Sequence, residues 1–587
     1  MSRKPLLVTY DIDGTIIHES TWFGPESQSL FGLLSSPQSA GIKGGVILAL
    51  PVGYEARGAR IAMRTLASAL AENGYVVLRF DYRGTGDSSG DFGSTLPNPG
   101  WIDDVASAVA YLRECGLSHV SAVGMRLGAT LVGLAASRYA LDLRSLVAWD
   151  PCESGRSFLR ELSALETLRH EGDRSRDDGS VETAEYLFRE DMVSSVRSLN
   201  LSQSTPATFA QKALFITREE RPLSSSLRAH LETGKVDFET TSEQEALLDV
   251  YPADAMAPLH TISRIVSWIS ESSDVASVTP SLSFRTETLL NGASEEHTIV
   301  ERAIRVGPRR LFAITSEPTG GSSSPWIVLL GGTHEDHTGP SRLWVELSRK
   351  WAAAGLRCVR IDLTDMGESP RHGDGQRLRG RNPVWIGDLK TIGPSLTADM
   401  PSNCVFVGFC SGAVLALEGA FGSGARGVCI VNLPSGVDYN RLISQLESGP
   451  SGTARLVARI LDRQSITLPA VKEFIWLLCC TFLPRRWYTN ITAEIVSRDT
   501  EVFALVGPSD AMIYGNVPML RKFDDRLTRA VRPYVNTLVS SLDHDMTFAE
   551  GREDVARLLG DYVRFRFGSA RPPLSGGDID GQKNVTP

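Results

Sequence analysis

Between residues 404 and 413 the chain reads CVFVGFCSGA, an apolar run ending in a cysteine set between Gly408 and Gly412. Small residues on both sides of a side chain allow a strand to turn sharply into a helix, which would lift the Cys410 sulfur out of the sheet. A thiol of ordinary pKa ~8.5 is only a few per cent ionised at neutral pH and becomes a strong nucleophile when a histidine takes its proton. A small cysteine after a strand can equally be packing alone, so its partners decide. Asp510 follows the apolar run EVFALVG in the loop GPSDAM, and His544 lies in LDHDMTF just before the last helical pattern. A carboxylate at the end of a strand can orient a loop imidazole; Asp543 and Asp545, which flank the histidine, are alternatives for that role.

The stretch VGMRLGA (123–129) has the same apolar run and paired glycines, but the residue between them is Arg126. A guanidinium stays protonated and can act neither as nucleophile nor as base. Buried there it needs an anion. Asp150 in LVAWDP and Glu219 in TREERP are the candidate partners, with a bound carboxylate or phosphate as the alternative. LLGGTHEDHTG (329–339) brings His334 and His337 three residues apart without a third ligand nearby, which reads as the rim of a polar pocket rather than a metal site. No metal and no cofactor is expected.

These stretches belong to one long internal repeat. LFGLLSSP (30–37) matches LFAITSEP (311–318) and LRFDYRGTGDS (78–88) matches VRIDLTDMGES (359–369), both 281 residues apart. WIDDV (101–105) matches WIGDL (385–389) and VGMRLGA matches VGFCSGA (407–413), both 284 apart. Four blocks in one order indicate a duplicated domain: residues 1–272, a linker at 273–296, residues 297–568, and a tail at 569–587 without apolar periodicity, expected to be disordered. In each copy short apolar runs such as GVILALP and VVLRFDY alternate with helical spacing such as ARIAMRTLASALAENGY. That alternation builds a mainly parallel sheet covered by helices on both faces. After each elbow a helical stretch, roughly 436–497 in the second copy, is expected to cap the carboxyl ends of the strands as a lid. At the N-terminus, DIDGT (11–15) between LLVTY and TIIHES reads as an Asp-Gly hairpin turn.

The chain has 587 residues, 42% apolar and 22% charged, with a net charge of -9. Single cores stop growing near ~250–300 residues, so two domains are required. Without a Lys/Arg block there is no footprint for a phosphate backbone, and nucleic acid is excluded as a partner. No apolar run approaches the ~20 residues of a membrane span, and the N-terminal run is too short for a signal-peptide core. Eight cysteines without a CxxC pair fit reduced thiols in the cytoplasm.

The order of strand, glycine-flanked elbow, helix, late acid and later histidine resembles the α/β-hydrolase superfamily. The resemblance implies two tandem α/β-hydrolase domains and, in the second, a triad of Cys410, Asp510 and His544, with the cysteine placed as in dienelactone hydrolases and cysteine-variant thioesterases. It implies an oxyanion hole from the N–H of Ser411 and that of Gly332 or Thr333. FGPESQSLFGLLSSP, VVLRFDYRGTGDSSGDF and LVAWDPCESGRSFLREL are similar to serine-aminopeptidase-like hydrolases found beside exosortase and exopolysaccharide systems, a group in which arginine also occurs in the elbow. The expectation is an acyl hydrolase or acyltransferase acting on an ester or thioester, free or carrier-bound, with an inactive first copy. The competing expectation is a wholly non-catalytic pair that binds a small molecule or serves as a scaffold.

Overall fold

The computed structural model describes residues 9–10, 15–38, 41–92, 100–169, 178–183, 186–250, 252, 254–271, 280–332, 335–372, 382–396, 402–433, 500–510 and 534–568, except 292–297. The expected second lid and the C-terminal tail lie outside these residues.

In the first copy the strands are β1 (Thr9–Tyr10), β2 (Ile16–Phe23), β3 (Leu30–Pro37), β4 (Gly44–Ala49), β5 (Tyr75–Phe80), β6 (Val120–Met125), β7 (Ser145–Trp149), the hairpin β8 (Val181–Thr183) and β9 (Tyr186–Phe188), β10 (Lys212–Arg218) and β11 (Val236–Thr241). Helices α1 (Glu55–Glu72), α2 (Trp101–Glu114), α3 (Leu127–Tyr139), α4 (Gly155–Arg169), α5 (Glu190–Ser198), α6 (Ser225–Leu231), α7 (Glu245–Leu248) and α8 (Leu259–Ser270) connect them. The sheet runs β1-β2-β3-β5-β4-β6-β7-β10-β11. Its first strands are antiparallel, and β5 onward is parallel. β1 pairs antiparallel with β2, Tyr10 opposite Ile17, and the Asp-Gly turn expected between them lies outside the described residues. Between β7 and β10, helices α4 and α5 and the β8–β9 hairpin form an insertion.

The second copy repeats this order as β12-β13-β14-β16-β15-β17-β18-β19-β20. Its strands are β12 (Glu287–Asn291), β13 (Thr298–Val306), β14 (Leu311–Pro318), β15 (Trp326–Leu330), β16 (Arg357–Ile361), β17 (Cys404–Phe409), β18 (Gly427–Val431), β19 (Glu501–Val506) and β20 (Tyr534–Leu538). Helices α9 (Leu343–Ala353), α10 (Pro383–Leu396), α11 (Ser411–Ser423) and α12 (Ala549–Phe567) cover it. β12 falls within the segment expected to be linker and forms an edge of this sheet.

Alternation along each strand divides its side chains between two helical layers. Val46 and Leu48 pack with Met63 and Leu66 of α1 and Ile262 of α8. Ile47 and Ala49 pack on the other face with Val105, Leu112 and Leu131. In the second sheet Ile327 and Leu329 meet Trp344, Trp351 and Leu559, while Val328 and Leu330 meet Trp385, Leu389 and Leu417. Each fully buried side chain of this kind contributes about 1.5–3 kcal/mol, which is why the central strands are apolar throughout.

The copies meet through equivalent surfaces. Arg79 forks onto Glu368 with bonds of 2.9 and 2.8 Å. Arg360, its counterpart, binds Asp87, the counterpart of Glu368. Phe31 lies against its own counterpart Phe312, ring centroids 6.3 Å apart, beside Trp22 and Ile314. A reciprocated set of contacts is the mark of an isologous interface. Arg360 also donates to Glu301 (2.8 Å), which accepts from Arg349 (2.7 Å), so the buried charges are paired.

Candidate active site

β17 runs into α11 through Cys410, whose backbone adopts φ 50°, ψ -122°. Positive φ on a residue with a side chain costs about 1–3 kcal/mol and persists only where its surroundings fix it. Here the Cys410 N–H donates to Val431 O (3.0 Å) and its carbonyl accepts from the Ala413 N–H (2.9 Å). A Cβ on Gly408 would lie 2.1 Å from the Gly412 carbonyl oxygen, and one on Gly412 would lie 2.9 Å from that of Gly331. Both positions therefore require glycine.

The Cys410 Sγ lies 3.4 Å from Nε2 of His544. Nδ1 of His544 lies 2.9 and 3.0 Å from the two oxygens of Asp510, which is buried. Burial disfavours the imidazolium, but the hydrogen bonds from Asp510 and Cys410 more than offset this and raise the His544 pKa to about 11. Asp543 does not orient the ring: it accepts from the N–H of Thr547 (3.0 Å) and shapes the loop. Gly332 lies against the elbow, since a Cβ there would meet Ser411 Oγ at 2.9 Å. Thr333 and His334 lie outside the described residues.

A further residue enters that the sequence did not single out. Asn432, fully buried at the end of β18 with φ 46°, donates Nδ2 to the carbonyls of Asp543 (2.9 Å) and His544 (3.0 Å) and accepts from the Gly507 N–H (2.8 Å). It ties the histidine loop to the strand that leads to Asp510. The available signal was its position: it occupies the place that Asp150 holds after β7.

In the first copy Arg126 has φ 54°, ψ -124°, the same turn as Cys410. Its guanidinium is buried and meets Glu55 (2.9 Å), Glu161 and Asp150 (3.5 Å). Glu219 is corrected here: it is exposed and outside this cluster, because Glu55 at the start of α1 and Glu161 on α4 reach the guanidinium instead. Asp150 is nearer to Arg218, at 2.8 Å. Trp149 stands opposite Ile216, and Val431 opposite Leu505, in the equivalent strand pairs. Counting on from these, Arg221 occupies the place of Asp510, and it too binds Glu161, at 2.9 Å. Matching SRIV (263–266) to ARLL (556–559) along the sequence sets Tyr251 against His544; Tyr251 lies outside the described residues, and His260 is exposed on α8.

His337 is not a pocket rim. It is buried in the interface between the copies, 2.6 Å from Asp87 and 2.9 Å from Asp362. Burial opposes its charge, but the two carboxylates outweigh that and raise its pKa to about 10. Among the described residues no helix is long and apolar enough to cross a membrane.

No protein-family model matches the chain, and no curated protein matches it. Among solved structures, it is similar to Est1E from Butyrivibrio proteoclasticus with bound ferulic acid at 16% identity, over 43% of this chain and 98% of that one, with a TM-score of 0.34. The esterase Pf2001 of Pyrococcus furiosus is 17% identical over 43% of this chain and 92% of its own, with a TM-score of 0.31. The esterase domain of a Rhodothermus marinus protein is 15% identical over 44% and 98%, with a TM-score of 0.30. Each spans less than half of the chain. The architecture itself, two sheets of one strand order with a glycine-flanked elbow after the corresponding strand of each, is the α/β-hydrolase fold in duplicate.

Proposed function

We propose that the second copy is an acyl hydrolase or acyltransferase that works through Cys410, His544 and Asp510 on an ester or thioester. The observation that carries this reading is the 3.4 Å approach of the thiol to an imidazole whose other nitrogen is held by a buried carboxylate. In that arrangement the thiol proton passes to Nε2, and the thiolate adds to the carbonyl carbon. The N–H of Ser411 and that of Gly332 or Thr333 would receive the oxyanion. As the intermediate collapses, His544 returns the proton to the leaving alcohol or thiol, and an acyl-thioester on Cys410 remains. Water or another acceptor, deprotonated by His544, then releases the acyl group. Arg126 and Arg221 occupy the nucleophile and acid places of the first copy, so that copy is read as catalytically inactive.

Intact-mass trapping with a panel of acyl thioesters tests the reading. The wild type should gain one acyl mass, which Cys410→Ala should not. No acyl adduct from any member of the panel would favour a non-catalytic pair.

A further inference from the structure

The first copy reaches both loops that the proposed chemistry needs in the second. α12 begins directly after the His544 loop, and the residue before it, Phe548, offers no side-chain cap. The first N–H groups of a helix have no partner within the helix. The N–H of Ala549 finds one in the other copy: it donates to Glu182 Oε1 at 2.8 Å, from the β8–β9 hairpin of the first copy's insertion. One turn on, Arg552 donates to the carbonyls of Met546 (2.9 Å) and Thr547 (2.5 Å), closing the loop from the helix side. Glu182 lies within the electrostatic reach of that guanidinium. The second loop is the turn after β15 that contains Gly332. There the Glu335 N–H donates to Gly332 O (3.2 Å), while Arg57 of α1 lies 3.7 Å from the Glu335 carboxylate and Arg60 pairs with Asp336.

We infer that the first copy acts as a brace for the second copy's site, with Glu182 a positioning residue that holds the His544 loop in register with Cys410, and Arg57 and Arg60 holding the turn that supplies the oxyanion donor. This rests on the triad reading above. It also assigns the Arg126 copy a role that needs no chemistry of its own: it adds a contact from outside to each of two loops, beside the anchors that Asn432 and Arg552 give the His544 loop and Asp362 gives the Gly332 turn.

The test uses the full chain and follows alkylation of Cys410 by iodoacetamide against pH, with thermal unfolding recorded alongside. A misplacement of ~1 Å can cost ~100-fold in a positioned reaction, so Glu182→Ala should lower the rate at pH 6.5 by at least about tenfold. Glu182→Gln keeps an acceptor oxygen and should restore the wild-type profile. Ala549→Pro removes the N–H from the other side at a helix position that tolerates proline; it should reproduce the loss and serves if Glu182→Ala fails to fold. Arg60→Ala should lower turnover of p-nitrophenyl butyrate while leaving the alkylation profile in place, because the turn it holds bears on the oxyanion and not on the thiol. An exposed control, Arg228→Ala, should change neither. Profiles of Glu182→Ala and Ala549→Pro that superimpose on the wild type overturn the brace. If His544→Ala also superimposes, the triad itself has failed; if His544→Ala differs, only the brace has.

Discussion

The two elbows have one backbone and opposite chemistry. Arg126 and Cys410 share φ/ψ to within a few degrees, and each N–H donates to the neighbouring strand at 3.0 Å, to Trp149 O and Val431 O. Around Cys410 the neighbouring places hold Asn432, Gly507 and Asp510, which grip a histidine loop. Around Arg126 the same places hold Asp150, Arg218 and Arg221, which close into ion pairs with one another and with Glu161. The strained turn is therefore a property of the strand–helix junction and its glycines. What the turn does depends on a few side chains at the strand ends. A guanidinium already surrounded by three carboxylates is poorly suited to hold a further anion, so the first elbow is read as a structural ion cluster.

Four substitutions sharpen or break this contrast. Cys410→Ala should lower acyl turnover by at least ~10⁴-fold, the scale on which removal of a covalent nucleophile acts. Retained turnover would move the chemistry elsewhere. Arg126→Ser should give no new hydrolase activity in the first copy, since Arg221 stands where an acid would be needed. It leaves Glu55 without its buried partner, at a cost of about 3–5 kcal/mol, and calorimetry should register a Tm lower by roughly 10 °C. New esterase activity, or an unchanged Tm, would break the structural reading of that elbow. Asn432→Ala frees the histidine loop from β18 and should reduce kcat by up to ~100-fold with KM little changed, measured by steady-state kinetics. Ser411→Ala removes only a hydroxyl from a residue whose backbone N–H is assigned the work, so turnover should stay within about threefold of wild type. A loss equal to that of Cys410→Ala would show that the elbow frame is misassigned.

Legibility followed the range of the interactions. The elbows and the strand–helix alternation are local patterns of spacing, and the sequence shows them directly. The order along the chain singles out Cys410, Asp510 and His544, and in the fold His544 stands within hydrogen-bond reach of both others. Glu55 and Glu161 are not legible as partners of Arg126, because they come from the start of α1 and the middle of α4, two helices whose approach is fixed only by packing. The burial of His337 is not legible for the same reason: the partner that holds it in the interface, Asp87, lies 250 residues away. The interface did leave a trace in the repeat. In LRFDYRGTGDS and VRIDLTDMGES, Arg79 aligns with Arg360 and Asp87 with Glu368, so each copy carries one arginine and one acid at the places where two copies exchange them.

The activation of Cys410 by His544 is tested most directly by alkylation with iodoacetamide, mapped by peptide and followed from pH 5 to pH 9. The raised His544 pKa, about 11, keeps the imidazolium beside the sulfur throughout that range. Its cationic form stands beside the sulfur, so at pH 6 the wild type should be alkylated at Cys410 at least about tenfold faster than His544→Ala. Cys115, Cys152, Cys358, Cys404 and Cys429 are buried, and burial pushes the Cys404 thiol up to about 12, so these should remain unmodified. A wild-type rate at Cys410 that rises only near pH 8.5, or a profile unchanged by His544→Ala, would contradict the account.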